Sequence, residues 1–205
     1  IDSSYIKEMK NLKMKYPTNI ELMTGLHPVS VKEDFKKELD IVVNSLTDYN
    51  YVAIGEIGID LYWDKSFLKQ QQEVFEFQIR LAISNDLPIV IHWRDGFDEI
   101  FEILDAENCS KLRGIFHCFT GTLQQAKRAV NLGFLLGIGG VVTFKNGGID
   151  KFINQIDIEN IVLETDAPYL SPVPFRGKRN ESSYIIYVLR KLSELYQTSE
   201  TEIAS

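Results

Sequence analysis

The chain has 205 residues, 44% hydrophobic and 25% charged, the balance of a globular protein with material for a sizeable core rather than a disordered one. Its 22 basic residues against 29 acidic ones leave a net charge of −7, which excludes global attraction to nucleic acid or anionic membrane, so any anionic partner must be held by a local basic patch. No apolar run approaches the roughly 20 residues of a membrane span, the opening IDSSYIKEMK lacks a signal-peptide layout, and two cysteines are too few for a disulfide scaffold, so a reducing cytoplasm is the expected location.

The chain opens on a helix-like segment. After it, β-rich runs alternate with helix-period stretches. The first strand is predicted over 20–28 (IELMTGLHP), followed by a helix with Phe35, Leu39, Val42, Val43 and Leu46 on one face. A strand over 51–60 (YVAIGEIGID) precedes a helix over about 67–84, with Leu68, Phe75, Ile79 and Ala82 on one side. The third strand, 87–95 (LPIVIHWRD), leads to a helix face of Phe97, Ile100, Phe101 and Leu104. Strands over 112–119 and 134–142 flank a helix over 122–131. A last strand over 158–168 precedes a stripe of Ile185, Val188, Leu189, Leu192 and Leu195.

This alternation argues for βα units and a parallel sheet. Six strands suit either a doubly wound sheet or most of a (β/α)8 barrel. No GxGxxG follows the first strand, which weighs against the dinucleotide-binding version. A full barrel usually needs about 250 residues, two βα units more than this chain carries. The expectation at this point is an α/β fold in a single domain over 1–205, either a doubly wound sheet or a (β/α)8 TIM-type barrel that lacks its first one or two βα units.

Chemistry-bearing residues gather at the C-terminal ends of the predicted strands: His27, Glu56, His92, His117 and Asp166. That end carries the active site in parallel α/β folds, and all three histidines of the chain belong to the set. Strand parity groups Ile54, Glu56, Gly58 and Asp60 on one face, Ile115 with His117 and Phe119, His92 with Arg94, and Glu164 with Asp166. Cys118 then faces away from His117 as a small buried hydrophobe, and Cys109 carries no signal. Any one of these residues could be structural; five at equivalent strand ends point to a site. Imidazoles mixed with carboxylates suit Mg, Mn or Zn, and a carboxylate that bridges two metals lets them clamp a phosphodiester. Arg94, Lys145, Arg176, Lys178 and Arg179 form a candidate basic patch near the same ends. Tyr62, Trp63, Phe119, Phe144, Tyr169 and Phe175 are interleaved with it, either stacking on bases of a single strand or sealing the barrel top.

Six ordered motifs make the resemblance specific: GLHP (25–28), GEIGID (55–60), IHWRD (91–95), FHCFTG (116–121), ETDAPYL (164–170) and RGKRNE (176–181). The chain resembles the TatD family of metal-dependent deoxyribonucleases, of the amidohydrolase-like (β/α)8 superfamily, over residues 20–182. The resemblance implies two divalent ions (Mg, Mn or Zn) bridged by Glu56, with His92 and His117 on one and Asp166 on the other. It implies substrate contacts at His27, Arg94 and Tyr169, to which the basic patch adds Arg176. It implies hydrolysis of DNA, single strands from a 3′ end. Asp166 would orient or deprotonate the attacking water, and Glu56 would hold the metals together. No membrane and no obligate protein partner are expected.

Three departures stand out. The family's His-x-His at the end of its first strand is absent, so one metal keeps Glu56, His92 and His117 while the other keeps Glu56 and Asp166. A longer native protein is therefore expected. Ser182 stands where the family has proline after Asn-Glu, which implies a less rigid loop. The chain also stops at IAS, short of the family's usual end. Two alternatives compete with the nuclease: a metal-dependent hydrolase of another ester or amide, and a nucleic-acid binder that no longer cleaves.

Overall fold

The near-continuous apolar run over 53–60 becomes a strand buried on both faces, as an inner strand of a parallel sheet requires. A computed structural model describes residues 2–205. The chain divides into two compact units, residues 1–115 and 116–205.

The first unit begins with α1 (Ile6–Lys15), β1 (Met23–Thr24) and α2 (Phe35–Asp48). It continues through β2 (Ala53–Asp60), α3 (Leu68–Ser84), β3 (Ile89–Arg94) and α4 (Phe97–Ala106). β1 pairs with β2 and β2 with β3, both parallel. The Ile89 N–H donates to the Arg113 carbonyl, at the start of β4 (Gly114–Phe116), which closes this unit and opens the next. Ile54, Ile57, Ile59, Ile89 and Ile91 are fully buried, as are Phe75 and Ile79 of α3 and Ile100, Phe101 and Leu104 of α4. Each such side chain contributes about 1.5–3 kcal/mol of burial. Of the helix stripes read from periodicity, that of α4 is buried throughout, whereas Val43 and Leu46 of α2, Leu68 of α3, and Ile185, Leu189 and Leu195 of the last stripe are only half-buried.

The second unit holds α5 (Leu123–Asn131), β5 (Phe134–Ile138), β6 (Ile161–Leu163), α6 (Ile185–Tyr196) and α7 (Glu200–Ala204). α5 starts on a capping box: the Gln125 N–H donates to Thr122 Oγ1 while the Thr122 N–H donates to Gln125 Oε1. β5 pairs with β6 in parallel. Phe116, Phe134, Leu136, Ile138, Ala126, Ala129, Val188 and Leu192 form its core. Tyr196 Oη donates to the carbonyls of Ile153 and Ile156, tying α6 to short 3-10 turns between β5 and β6.

The predicted strands are longer than the observed ones. The run 20–28 shrinks to two residues, and 158–168 to three. The flanking residues are extended or in 3-10 turns, which satisfy the backbone locally instead of through the ladder. Parity fails at two places. In β2 the register to β3 shifts between Gly55 and Ile57, so Ile54 pairs with Ile89, Gly55 with Val90, Ile57 with Ile91 and Gly58 with His92. Ile54 thus shares a face with Ile57 and Ile59, not with Gly58 and Asp60, and Glu56 is the extra residue at the shift. β4 ends at Phe116, so parity says nothing about His117, Cys118 or Phe119. Cys118 lies in a turn with φ of 46° and is half-buried, not the buried hydrophobe expected. Phe119 packs into the core against Phe116 and is unavailable for stacking on a base. Among the described residues no helix is long and apolar enough to cross a membrane.

Candidate metal centre

Each unit brings histidine together with carboxylates. In the first, His92 is set near the end of β3, opposite Gly58. Gly58 has φ of 145°, and a Cβ there would lie 1.9 Å from the His92 carbonyl oxygen, so only glycine fits. Glu56, at the register shift, places Oε2 3.6 Å from His27 Nε2 and 4.0 Å from His92 Nδ1. The two imidazole rings lie 4.3 Å apart, centroid to centroid. Ligand-type atoms of His27, Glu56 and His92 all fall within 4.8 Å of one another.

Asp60 stands behind His92. Its Oδ2 lies 2.9 Å from His92 Nε2, its Oδ1 accepts the Tyr62 N–H at 3.0 Å, and its side chain is 2% exposed. Burial alone would raise its carboxyl, but hydrogen bonds from His92 and from the Tyr62 N–H, with the nearby positive charge of His92 and Arg94, outweigh that and hold it below the usual carboxylate range.

Two glutamines on α3 fix the main chain around this cluster. Gln78 Oε1 accepts the Leu26 N–H at 2.7 Å and its Nε2 donates to the Leu26 carbonyl at 3.1 Å. Gln71 does the same at Asp60, at 2.9 and 3.1 Å. They are seven residues apart, two helical turns, so one helix face clamps both the segment leading to His27 and the end of β2. Both amides are buried. Sequence reasoning passed over them; a glutamine pair at i, i+7 on the apolar side of a helix was the available signal.

Arg94 does not stand alone in solvent. Its guanidinium lies 3.5 Å from the Tyr62 ring centroid and 5.7 Å from that of Trp63, which is 74% exposed.

In the second unit His117 Nδ1 makes a short hydrogen bond to Glu164 Oε2, which also accepts the Cys118 N–H at 3.1 Å. The other face of the ring places Nε2 3.6 Å from Asp166 Oδ1. Space for the Glu164 carboxylate comes from β5 and the residue after it. A Cβ at Gly137 would lie 2.9 Å from Glu164 Oε2, and one at Gly139 2.8 Å from Oε1. Glu164 was placed on the Asp166 face by parity but given no role; the structure makes it the partner of His117.

Asn180, of the RGKRNE motif, holds the loop after Asp166. Its side-chain amide donates to the Tyr169 carbonyl and its N–H to the Pro168 carbonyl. Tyr169 is 70% exposed. Arg176 and Lys145 line a cavity of about 570 Å³ with Thr120, Phe144 and Asn146. The Arg176 guanidinium lies 3.6 Å from the Phe144 ring centroid. Phe175, another candidate for stacking, packs on Tyr184 at 4.2 Å instead. Ser182 opens a 3-10 turn, a position that also accepts proline, and none of the site residues depends on it.

The donor set fits divalent metal. Each cluster pairs imidazole nitrogen with carboxylate oxygen, the ligand mixture such ions take. Among the described residues, Glu164 Oε1 is buried with no hydrogen-bond partner, an uncompensated acceptor beside His117 and Asp166 that a cation would satisfy.

A family model described as TatD related DNase matches residues 1–205. YabD of Bacillus subtilis, an uncharacterized metal-dependent hydrolase, is 42% identical over 182 residues, covering 88% of this chain and 71% of that protein. The crystal structure of YjjV, a TatD homologue from Escherichia coli K12, superposes with a TM-score of 0.90 at 30% identity, over 99% of this chain and 79% of that one. A TatD family hydrolase from Entamoeba histolytica shares the fold, with a TM-score of 0.78 at 23% identity over 98% and 78%. Six parallel strands alternating with helices thus form part of a (β/α)8 fold, and the chain belongs to the TatD family of metal-dependent hydrolases.

Proposed function

We propose that this protein hydrolyses phosphodiester bonds of DNA, acting on single strands from the 3′ end. The ligands for divalent metal in this reading are Glu56 and His92 in the first unit and His117 and Asp166 in the second. Metal ions supply positive charge at the phosphate and a water that ionises near neutral pH. Asp166 Oδ1 accepts the proton of the attacking water and aims the oxygen at phosphorus. His27 contacts a phosphate oxygen, and Arg94, Tyr169 and Arg176 contact the strand.

One observation carries the choice of a polyanion over a neutral ester. In a chain of net charge −7, Arg176 and Lys145 meet at one cavity, and the guanidinium carbon lies over the Phe144 ring, 3.6 Å from its centroid. An arginine stacked in this way loses less freedom on binding phosphate than one in solvent.

The test is hydrolysis of a 3′-labelled single-stranded DNA with Mg²⁺, with Mn²⁺ and with EDTA. Label should be released only with metal, and Asp166→Asn should slow release by about 10²–10⁴-fold, the range for a lost general base, with an unchanged circular dichroism spectrum. Full activity in that variant removes Asp166 from the mechanism. Metal-dependent turnover of small esters in place of DNA rejects the nuclease reading.

A further inference from the structure

We infer that Asp60 and Glu164 are positioning residues that fix opposite tautomers on His92 and His117, so that each presents a lone pair to metal, whereas His27 presents an N–H and is a donor to substrate. The inference rests on the metal-dependent reading above and concerns which nitrogen of each ring carries the proton.

A neutral imidazole has one donor nitrogen and one acceptor nitrogen, and metal takes the acceptor. Asp60 is a carboxylate that already accepts the Tyr62 N–H, so toward His92 Nε2 it is an acceptor. The proton therefore sits on Nε2, and the Nδ1 lone pair is directed toward Glu56 Oε2 at 4.0 Å. At His117 the roles are exchanged. Nδ1 donates to Glu164, and the Nε2 lone pair is directed toward Asp166 Oδ1 at 3.6 Å. In both places a lone pair faces a carboxylate across a gap that only a cation makes favourable. His27 differs. Its Nδ1 accepts the Val29 N–H at 3.2 Å, which puts the proton on Nε2, 3.6 Å from Glu56 Oε2. That contact is attractive without metal. To ligate through Nε2, His27 would have to give up its bond to Val29. Proximity alone groups His27 with Glu56 and His92; the proton positions separate them.

The two backing carboxylates are loaded differently, and this makes the inference sharp. Asp60 receives its two donors on separate oxygens: the Tyr62 N–H on Oδ1 and His92 on Oδ2. In Asp60→Asn the amide oxygen stays on the Tyr62 N–H, the NH2 group turns to His92 Nε2, and the tautomer reverses. Glu164 receives both of its donors, His117 and the Cys118 N–H, on Oε2. In Glu164→Gln the amide oxygen keeps that place, the NH2 group takes the position of Oε1, and the tautomer stays.

The experiment is a long-range ¹H–¹⁵N spectrum of the metal-free protein at about pH 8, with Mn²⁺ titrated calorimetrically into the same samples. The wild type should carry protons on Nε2 of His92, Nδ1 of His117 and Nε2 of His27. Asp60→Asn should move the His92 proton to Nδ1 and weaken Mn²⁺ binding by about 10–100-fold, the range for loss of a group behind a metal-bound histidine. Glu164→Gln should leave the His117 proton on Nδ1 and weaken Mn²⁺ by less than about tenfold. A residue that merely stabilises the fold would not reverse a tautomer. A His92 proton that remains on Nε2 in Asp60→Asn, with unchanged Mn²⁺ affinity, overturns the inference. So does a wild-type His117 protonated on Nε2, a result that needs no variant to fold. Tautomers as assigned but no Mn²⁺ binding by the wild type overturns the metal-dependent reading itself and, with it, the ligand role of both histidines.

Discussion

His92 and His117 are each backed by a carboxylate, yet the two units hold that carboxylate by different means. In the first unit Asp60 is anchored by hydrogen bonds: Tyr62 fixes one oxygen, and Gln71 grips its backbone at both ends. In the second unit Glu164 accepts one backbone N–H, that of Cys118, and is otherwise held by shape. Gly137 and Gly139 leave room for its carboxylate, and one of its oxygens has no partner among the described residues. The same chemical need, a histidine locked in one tautomer, is met by a polar clamp in one case and by an absence of side chains in the other. The clamp is tied to secondary structure, because Gln71 is rooted in α3. The cradle depends on the neighbouring strand having nothing to offer but backbone.

Four substitutions would break or sharpen that contrast. The largest effect is expected from Gly58→Ala. It puts a methyl 1.9 Å from the His92 carbonyl at φ of 145°, so steric strain and backbone strain add to on the order of 4 kcal/mol, read in a urea melt. Gln71→Leu comes next. It strips both partners from the buried Asp60 main chain, for at least about 2 kcal/mol, because each of the two unpaired groups costs upwards of roughly 1. A loss below about 0.5 kcal/mol would show that water replaces the amide and that the clamp is not structural.

Gly139→Ala tests the cradle. The backbone there is extended and accepts alanine, so its cost is the displacement of the Glu164 carboxylate alone, about 1–3 kcal/mol. Mn²⁺ affinity should fall together with Tm. Unchanged values of both would mean that the carboxylate shifts freely. The smallest effect is the pH dependence at Asp60. Its folded pKa is lowered, so its contribution is fully present above the unfolded value of about 3.9 and is lost as pH falls through the folded pKa. The stability difference between wild type and Asp60→Asn should therefore shrink on acidification below about pH 4. A difference that stays constant with pH would mean that the pair with His92 is not what lowers Asp60.

Much of the fold was legible because its signals are local. The stripes Phe35–Leu39–Val42 and Ile100–Phe101–Leu104 need only helical period to be read, and both are buried. The motif residues His27, Glu56 and His92 lie together in the first unit, and His117 and Asp166 in the second. Legibility failed where a residue's neighbour is distant in sequence. Asp60 and His92 are 32 residues apart, and His117 and Glu164 are 47. Neither carboxylate was given a role, because parity within one strand says nothing about what stands on the next. Parity also failed within β2, since one extra residue at Glu56 reverses the face of everything before it.

The sequence by itself determined the alternation of strands and helices, the burial of their apolar faces and the identity of the candidate ligands. Periodicity and motif are properties of neighbouring residues, and burial of apolar surface follows from them without knowledge of the partner. Only the tertiary structure decided where the protons sit. A tautomer depends on which nitrogen meets an acceptor and which meets a donor, and those groups are supplied by the Asp60, Val29 and Glu164 positions in three dimensions. In the reading proposed above, the same side-chain type is thereby made a ligand at His92 and His117 and a donor at His27.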